Sequence, residues 1–217
     1  MLKAKNISKS YSKSKVILKD ITFSLDKGKA AVIIGRNGAG KSTFLSILAG
    51  FLIPDTGEVI TETAKIGFVP QDDNLFLELS VQDNLSFWAK AANGTNTDLV
   101  DIFEIDKYKK QKVKNLSGGM KKSVAICCAL TNNPDVLILD EPFVGLDIYY
   151  KNELIKMLVK LKEMGKSIIY TSHNIDEMLG LAGELYTLSD GELKLIGDAE
   201  HMADKPDELL KLLGRWL

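Results

Sequence analysis

Residues 30–49 constrain the fold more than any other stretch. Ala30, Ala31, Val32, Ile33 and Ile34 are apolar without a break, the pattern of a strand covered on both faces, as in a parallel sheet. That strand runs directly into Gly35-Arg36-Asn37-Gly38-Ala39-Gly40-Lys41-Ser42, and residues 42–49 then carry apolar side chains at helical spacing. Strand, glycine loop and helix in this order let backbone N–H groups wrap an anion at a helix start. In this pattern Gly35, Asn37, Gly38, Ala39 and Gly40 shape a phosphate cradle that Thr43 extends. Lys41 reaches the β and γ phosphates of a nucleotide such as ATP, and Ser42 ligates Mg²⁺.

The rest of the chain repeats the alternation. Residues 136–139 and 167–170 read as buried strands, with a helix over 152–164 that ends at Gly165. Alternating strands and helices predict a mainly parallel sheet. Nearer the N-terminus, 16–18 and 21–25, followed by the turn Asp26-Lys27-Gly28, form one set of strands, and 57–60 and 65–69 form another. Together they predict a small antiparallel sheet beside the core. From about 72 to 129 the pattern turns helical, with candidates at 81–92, 97–103 and 121–130. The expected class is therefore α/β: a P-loop NTPase with a mainly parallel core sheet, a small antiparallel β subdomain and an inserted helical subdomain. All 217 residues suit one domain of this kind. The leucine-rich tail 204–217 is expected to form an amphipathic helix capping the core.

Two carboxylates close the strand 136–139. Asp140 and Glu141 stand at a strand's C-terminal end, where open α/β sheets bind ligands. Asp140 suits the Mg²⁺ shell and Glu141 suits a general base that polarises the attacking water. Acids at a loop start are usually just solvated, and it is the phosphate loop elsewhere in the same chain that gives this pair a function.

Composition narrows the partners. Twenty-eight Lys and Arg against 29 Asp and Glu leave a formal charge of -1, without the basic excess that phosphate-backbone binding calls for, so no direct nucleic-acid contact is expected. Cys127 and Cys128 are adjacent in an apolar run, a spacing for neither a metal nor a disulfide framework, and read as reduced core thiols. Residues 1–14 carry lysines with no apolar stretch behind them, so no signal peptide is expected. The longest apolar runs, such as 47–53, fall well short of the ~20 residues of a membrane helix. Membrane contact is then expected only through another chain.

The stretch Leu116-Ser117-Gly118-Gly119-Met120, ahead of the acidic strand, closely resembles the signature motif of ABC ATPases, and the resemblance extends over essentially the whole chain. By itself it is a serine cap and two glycines at a helix start, a lightly covered anion site. The resemblance implies that Ser117, Gly118 and Gly119 clasp the γ phosphate of ATP held by a second ABC ATPase subunit. The pair would form a head-to-tail homodimer or heterodimer with two composite sites, each chain inactive alone. It further implies that Tyr11 stacks on adenine, that Gln71 senses Mg²⁺ and the water, that Asp147 lies in a loop crossing the dimer interface, and that His173 contacts the γ phosphate. Taken singly, these four would read as strand packing, a surface glutamine, a helix cap and a structural histidine. Met120 and Ser123 depart from the usual Gln and Arg but leave the backbone donors and Ser117 in place.

The resemblance also implies ATP-driven transport, with a separate transmembrane permease docking near residues 72–85 and the ATPase peripheral on the cytoplasmic face of the cell membrane. A chain ending soon after its core elements, together with the form of 116–122, points to an exporter of the ABC-2 type. An importer subunit, or a soluble ABC ATPase acting on nucleic acid or ribosomes, is the alternative. A subunit that binds ATP without hydrolysing it is disfavoured by Lys41 and Glu141.

Overall fold

The computed structural model describes residues 1–12, 15–94, 100–172, 174–181 and 183–203. Its centre is a six-stranded sheet, and the glycine loop leaves one of its middle strands. That strand, β3 (Ala30–Ile34), is buried at every position and is followed by helix α1 (Lys41–Leu48). Before it come β1 (Leu2–Ser12) and β2 (Lys15–Leu25), and after α1 come β4 (Thr56–Ile60) and β5 (Ile66–Val69). Helices α2 (Val81–Ala91) and α3 (Gly118–Leu130) follow, separated by short 3₁₀ turns at Asp101–Phe103, Ile105–Tyr108 and Val113–Asn115. The chain continues through β6 (Val136–Leu139), α4 (Ile148–Glu163), β7 (Ser167–Thr171), α5 (Ile175–Gly180), β8 (Glu184–Ser189), β9 (Glu192–Asp198) and α6 (Ala199–Ala203).

The core sheet has the order β5-β6-β7-β3-β8-β9 and the second sheet the order β2-β1-β4. In the core sheet β5 to β8 pair in parallel and only β9 runs against its neighbour, while the second sheet is antiparallel. Alternation along the strands explains the double burial. Ala31, Ile33, Ile138 and Ile169 face α1 and the second sheet, while Val32, Ile34, Leu139 and Tyr170 face α3, α4 and α5. The C-terminal ends of β3, β6 and β7 thus come together at one edge, which is where parallel sheets place their ligands.

Several expectations need correction. The sequence pattern groups 65–69 with 57–60, yet β5 pairs in register with β6 as a core strand and only β4 joins the antiparallel sheet. A four-residue apolar run carries no record of its partner, and pairing with Val136–Leu139 decides the matter. β1 and β2 are each eleven residues long rather than short segments. Helix α3 starts at Gly118 instead of 121, because Ser117 caps it by accepting the Met120 N–H at 3.3 Å. Of the helix expected over 97–103, residues 101–103 form a single 3₁₀ turn and 97–99 lie outside the described residues. The tail 204–217 also lies outside them. Cys127 and Cys128 are free and buried; burial pushes the Cys127 thiol up and the Cys128 thiol to about 12. Among the described residues no helix is long and apolar enough to cross a membrane.

Candidate active site

The phosphate loop closes tightly on itself. Gly40 caps α1 in the left-handed region, φ 103°, where a side chain would also strike Ile17 Cγ2 at 2.6 Å, so only glycine fits there. Lys41 is 5% exposed, and its Nζ donates to the carbonyls of Gly35 at 2.8 Å and Arg36 at 3.3 Å. Burial lowers the pKa of Lys41 from its ordinary 10.5, while the charges of Glu141 and Asp140 pull it back up. Beside the loop lies a cavity of about 360 Å³ lined by Tyr11, Lys41, Ser42, Thr43, Gln71 and Glu141, together with Asn37, Gly38 and Gly40.

Each wall of this cavity comes from a different element. Tyr11, on β1, keeps 61% of its surface exposed, and its hydroxyl lies 3.3 Å from Thr43 Oγ1. A ring at a cavity rim with a bare face can stack on a flat heteroaromatic base. Gln71 follows β5, and its Nε2 donates to Glu141 Oε2 at 3.1 Å. Glu141 Oε1 is 3.9 Å from Lys41 Nζ. The backbone of Glu141 is itself left-handed, φ 47°, a strained conformation of the kind that collects at functional sites.

Asp140, 3% exposed, ends β6 beside this glutamate. Both acids are held by Thr171, a residue that sequence reasoning passed over. Its hydroxyl donates to Asp140 Oδ1 at 2.8 Å and accepts the Glu141 N–H at 2.7 Å. Thr171 is wholly buried at the end of β7. The only sequence signal for it was a polar residue closing an apolar strand. Asp140, the Ser42 hydroxyl and the Gln71 side-chain oxygen are hard oxygen donors that would suit a divalent cation such as Mg²⁺, and a buried carboxylate steadied by a hydroxyl fits that role.

Ser117, Gly118 and Gly119 do not belong to that cavity. Ser117 and Gly118 are exposed, and a side chain on Gly118 would come 3.7 Å from the Gly145 carbonyl. Gly119 lies under the ring of Tyr150, so close that a Cβ there would be 2.4 Å from Cγ and Cδ1. Asp147 caps α4, accepting the Tyr150 N–H at 2.9 Å. The structure thus brings the Ser117–Gly119 helix start together with the 145–147 loop, as a second anion-ready edge apart from the phosphate loop. His173 lies outside the described residues.

The chain matches the ABC transporter family over residues 18–144. The linearmycin resistance ATP-binding protein LnrL of Bacillus subtilis is 37% identical over 215 residues, covering 91% of this chain and 69% of that protein. The molybdate/tungstate import ATP-binding protein WtpC of Thermococcus kodakarensis is 32% identical over 234 residues, 99% of this chain and 70% of that one. Among solved structures, the dimeric post-hydrolysis state of the ATP-binding cassette MJ0796, bound to ADP and Pi, is similar with a TM-score of 0.80 at 28% identity, covering 91% of this chain and 98% of its own.

Proposed function

From the premise that this chain belongs to the ABC transporter family, as an ATP-binding subunit that hydrolyses ATP to ADP and phosphate, we propose that it works as one half of a head-to-tail dimer driving a separate permease. One observation carries the reading. Lys41, Gln71 and Glu141 converge on the phosphate-loop cavity, whereas Ser117, Gly118 and Gly119 form a helix start, exposed at Ser117 and Gly118, that is no part of its lining. A second chain turned end for end would bring that helix start over the cavity and complete it.

In this reading the N–H groups of Gly38, Ala39, Gly40, Lys41, Ser42 and Thr43 wrap the phosphates at the positive end of α1. Lys41 turns from its own loop to the β and γ phosphates, and Tyr11 stacks on adenine. Ser42, Gln71 and Asp140 would hold Mg²⁺, which when bound offsets phosphate charge. Gln71 orients a water, and Glu141 takes its proton as the water oxygen attacks the γ phosphorus. The bond to the β–γ bridging oxygen breaks, leaving ADP and phosphate. Ser117, Gly118, Gly119 and Asp147 act across the interface, and His173 contacts the γ phosphate.

The permease is proposed to dock on the segment after Gln71. Phe76, Leu77, Leu79 and Phe87 are 40–52% exposed, with Phe76 and Phe87 edge to face at 4.7 Å and Trp88 against both. Such an apolar cluster on a surface marks a protein contact. Docking there holds the chain to the cytoplasmic face of the membrane. Export is the favoured direction, supported by higher identity to the resistance protein than to the import protein.

The test uses Glu141→Gln. Loss of a general base lowers turnover about 10²–10⁴-fold, and the variant should accumulate as an ATP-bound dimer in light scattering. Adding Ser117→Arg should abolish that dimer and leave ATP binding intact. A dimer that survives Ser117→Arg would remove the composite site, and turnover at the parent rate would remove Glu141 as base.

A further inference from the structure

We propose that the buried ion pair of Lys122 and Asp73 is a positioning device tying the Gln71 loop to α3, so that the water-orienting glutamine of one site and the half-site offered to the other shift together. This rests on the roles given above to Gln71 and Ser117. Lys122 Nζ pairs with Asp73 Oδ1, and the two side chains are only 6% and 24% exposed. Lysine is almost never buried unless paired, and among the described residues that oxygen has no hydrogen-bond partner, so the charge of Lys122 is what compensates it. The partners come from different elements: Asp73 from the loop after β5, Lys122 from the helix that Ser117 caps.

The loop has three anchors. At one end Gln71 bonds Glu141 at 3.1 Å in the reaction cavity. At the other the Phe76 N–H donates to Asn84 Oδ1 at 2.8 Å, and Asn84 Nδ2 returns a bond to the Phe76 carbonyl at 3.1 Å, from a residue wholly buried in α2. The Asp73 anchor lies between them and, of these three, is the ion pair. A displacement of α3 against the core sheet therefore pulls on the stretch between Gln71 and Phe76. A buried pair resists stretching because either charge left alone in the interior is strongly disfavoured, so the link has two discrete conditions, made or broken. Mechanically it connects the aromatic docking cluster, the reacting water and the Ser117–Gly119 edge. Neither residue touches the phosphate-loop cavity, so the pair acts through Gln71 and α3 as a pair of positioning residues.

The experiment compares Asp73→Asn, the double variant Lys122→Met with Asp73→Leu, and the parent, in ATP binding and steady-state hydrolysis. The double variant leaves no charge uncompensated and so separates loss of the tether from loss of the fold, which circular dichroism follows. The expected result is nucleotide affinity and KM within about twofold of the parent, with kcat reduced at least tenfold in the double variant and partly in Asp73→Asn. Parent-level kcat in the double variant overturns the proposal, as does a matching fall in nucleotide affinity, which would place the effect on the phosphate loop. If the double variant fails to fold, Asp73→Asn decides on the same criteria. The dimer test with Ser117→Arg keeps the two readings apart: dimer loss there, with parent-like turnover here, removes the tether alone.

Discussion

Replacing Thr171 by valine isolates a side chain that bonds both the Asp140 carboxylate and the Glu141 backbone N–H. The residue is wholly buried, and valine fills nearly the same volume without the oxygen. Two bonds disappear. The 2.8 Å bond to Asp140 Oδ1 ends on a carboxylate, a kind worth about 1.5–3 kcal/mol net. The Glu141 N–H, bound at 2.7 Å, loses its acceptor in a part-buried place, which costs about 1–3 kcal/mol. The added methyl returns roughly 0.8 kcal/mol. The expected loss of stability is about 2–5 kcal/mol, large against a typical total of about 5–15 kcal/mol. Urea unfolding should show a lower midpoint at an unchanged slope. Turnover should fall about 100-fold with KM for ATP little moved, since a base misplaced by about 1 Å costs that much. Thr171→Ser keeps the oxygen and should remain within about 1 kcal/mol of the parent. A Thr171→Val protein within about 0.5 kcal/mol of the parent would refute the bridging role of this hydroxyl.

Lys41 makes a pH prediction with opposite signs for folding and for binding. Its pKa in the folded chain lies below 10.5 through burial, so between that value and 10.5 the unfolded chain binds more protons. Its contribution to stability is then complete above 10.5 and is lost as pH falls through the folded value. ATP affinity, which needs the ammonium, should instead weaken as pH rises through that folded value; titration of nucleotide binding from neutral pH to about 10 reads it, and a slope unchanged in Lys41→Met would contradict the assignment. Gly119→Ala should cost about 1–3 kcal/mol by overpacking, because its Cβ meets the Tyr150 ring at 2.4 Å. Tyr150→Ala should rescue much of that loss in a double-mutant cycle, and simple additivity of the two changes would show that the contact is not the cause.

The phosphate loop, the acidic strand end and the Ser117–Gly119 helix start were legible in the sequence because each is contiguous. An unbroken apolar run, glycines beside a lysine, or a serine before two glycines states its own local geometry. Burial followed from the unbroken apolar runs at 30–34 and 136–139, and a helix from the pattern at 81–92. Tertiary structure alone decided what lies beside what. Parallel pairing drew Ile66–Val69 into the core sheet, although its four residues would have served either sheet. The register of β6 with β7, Leu139 opposite Tyr170, carries Thr171 to Asp140 and Glu141 across 30 residues of sequence. The pairing of Asp73 with Lys122 and the closeness of Tyr150 to Gly119 are likewise contacts between elements, and nothing in the local pattern of either partner encodes them. A motif records which atoms a backbone can present, and only packing sets where two presented edges stand relative to each other.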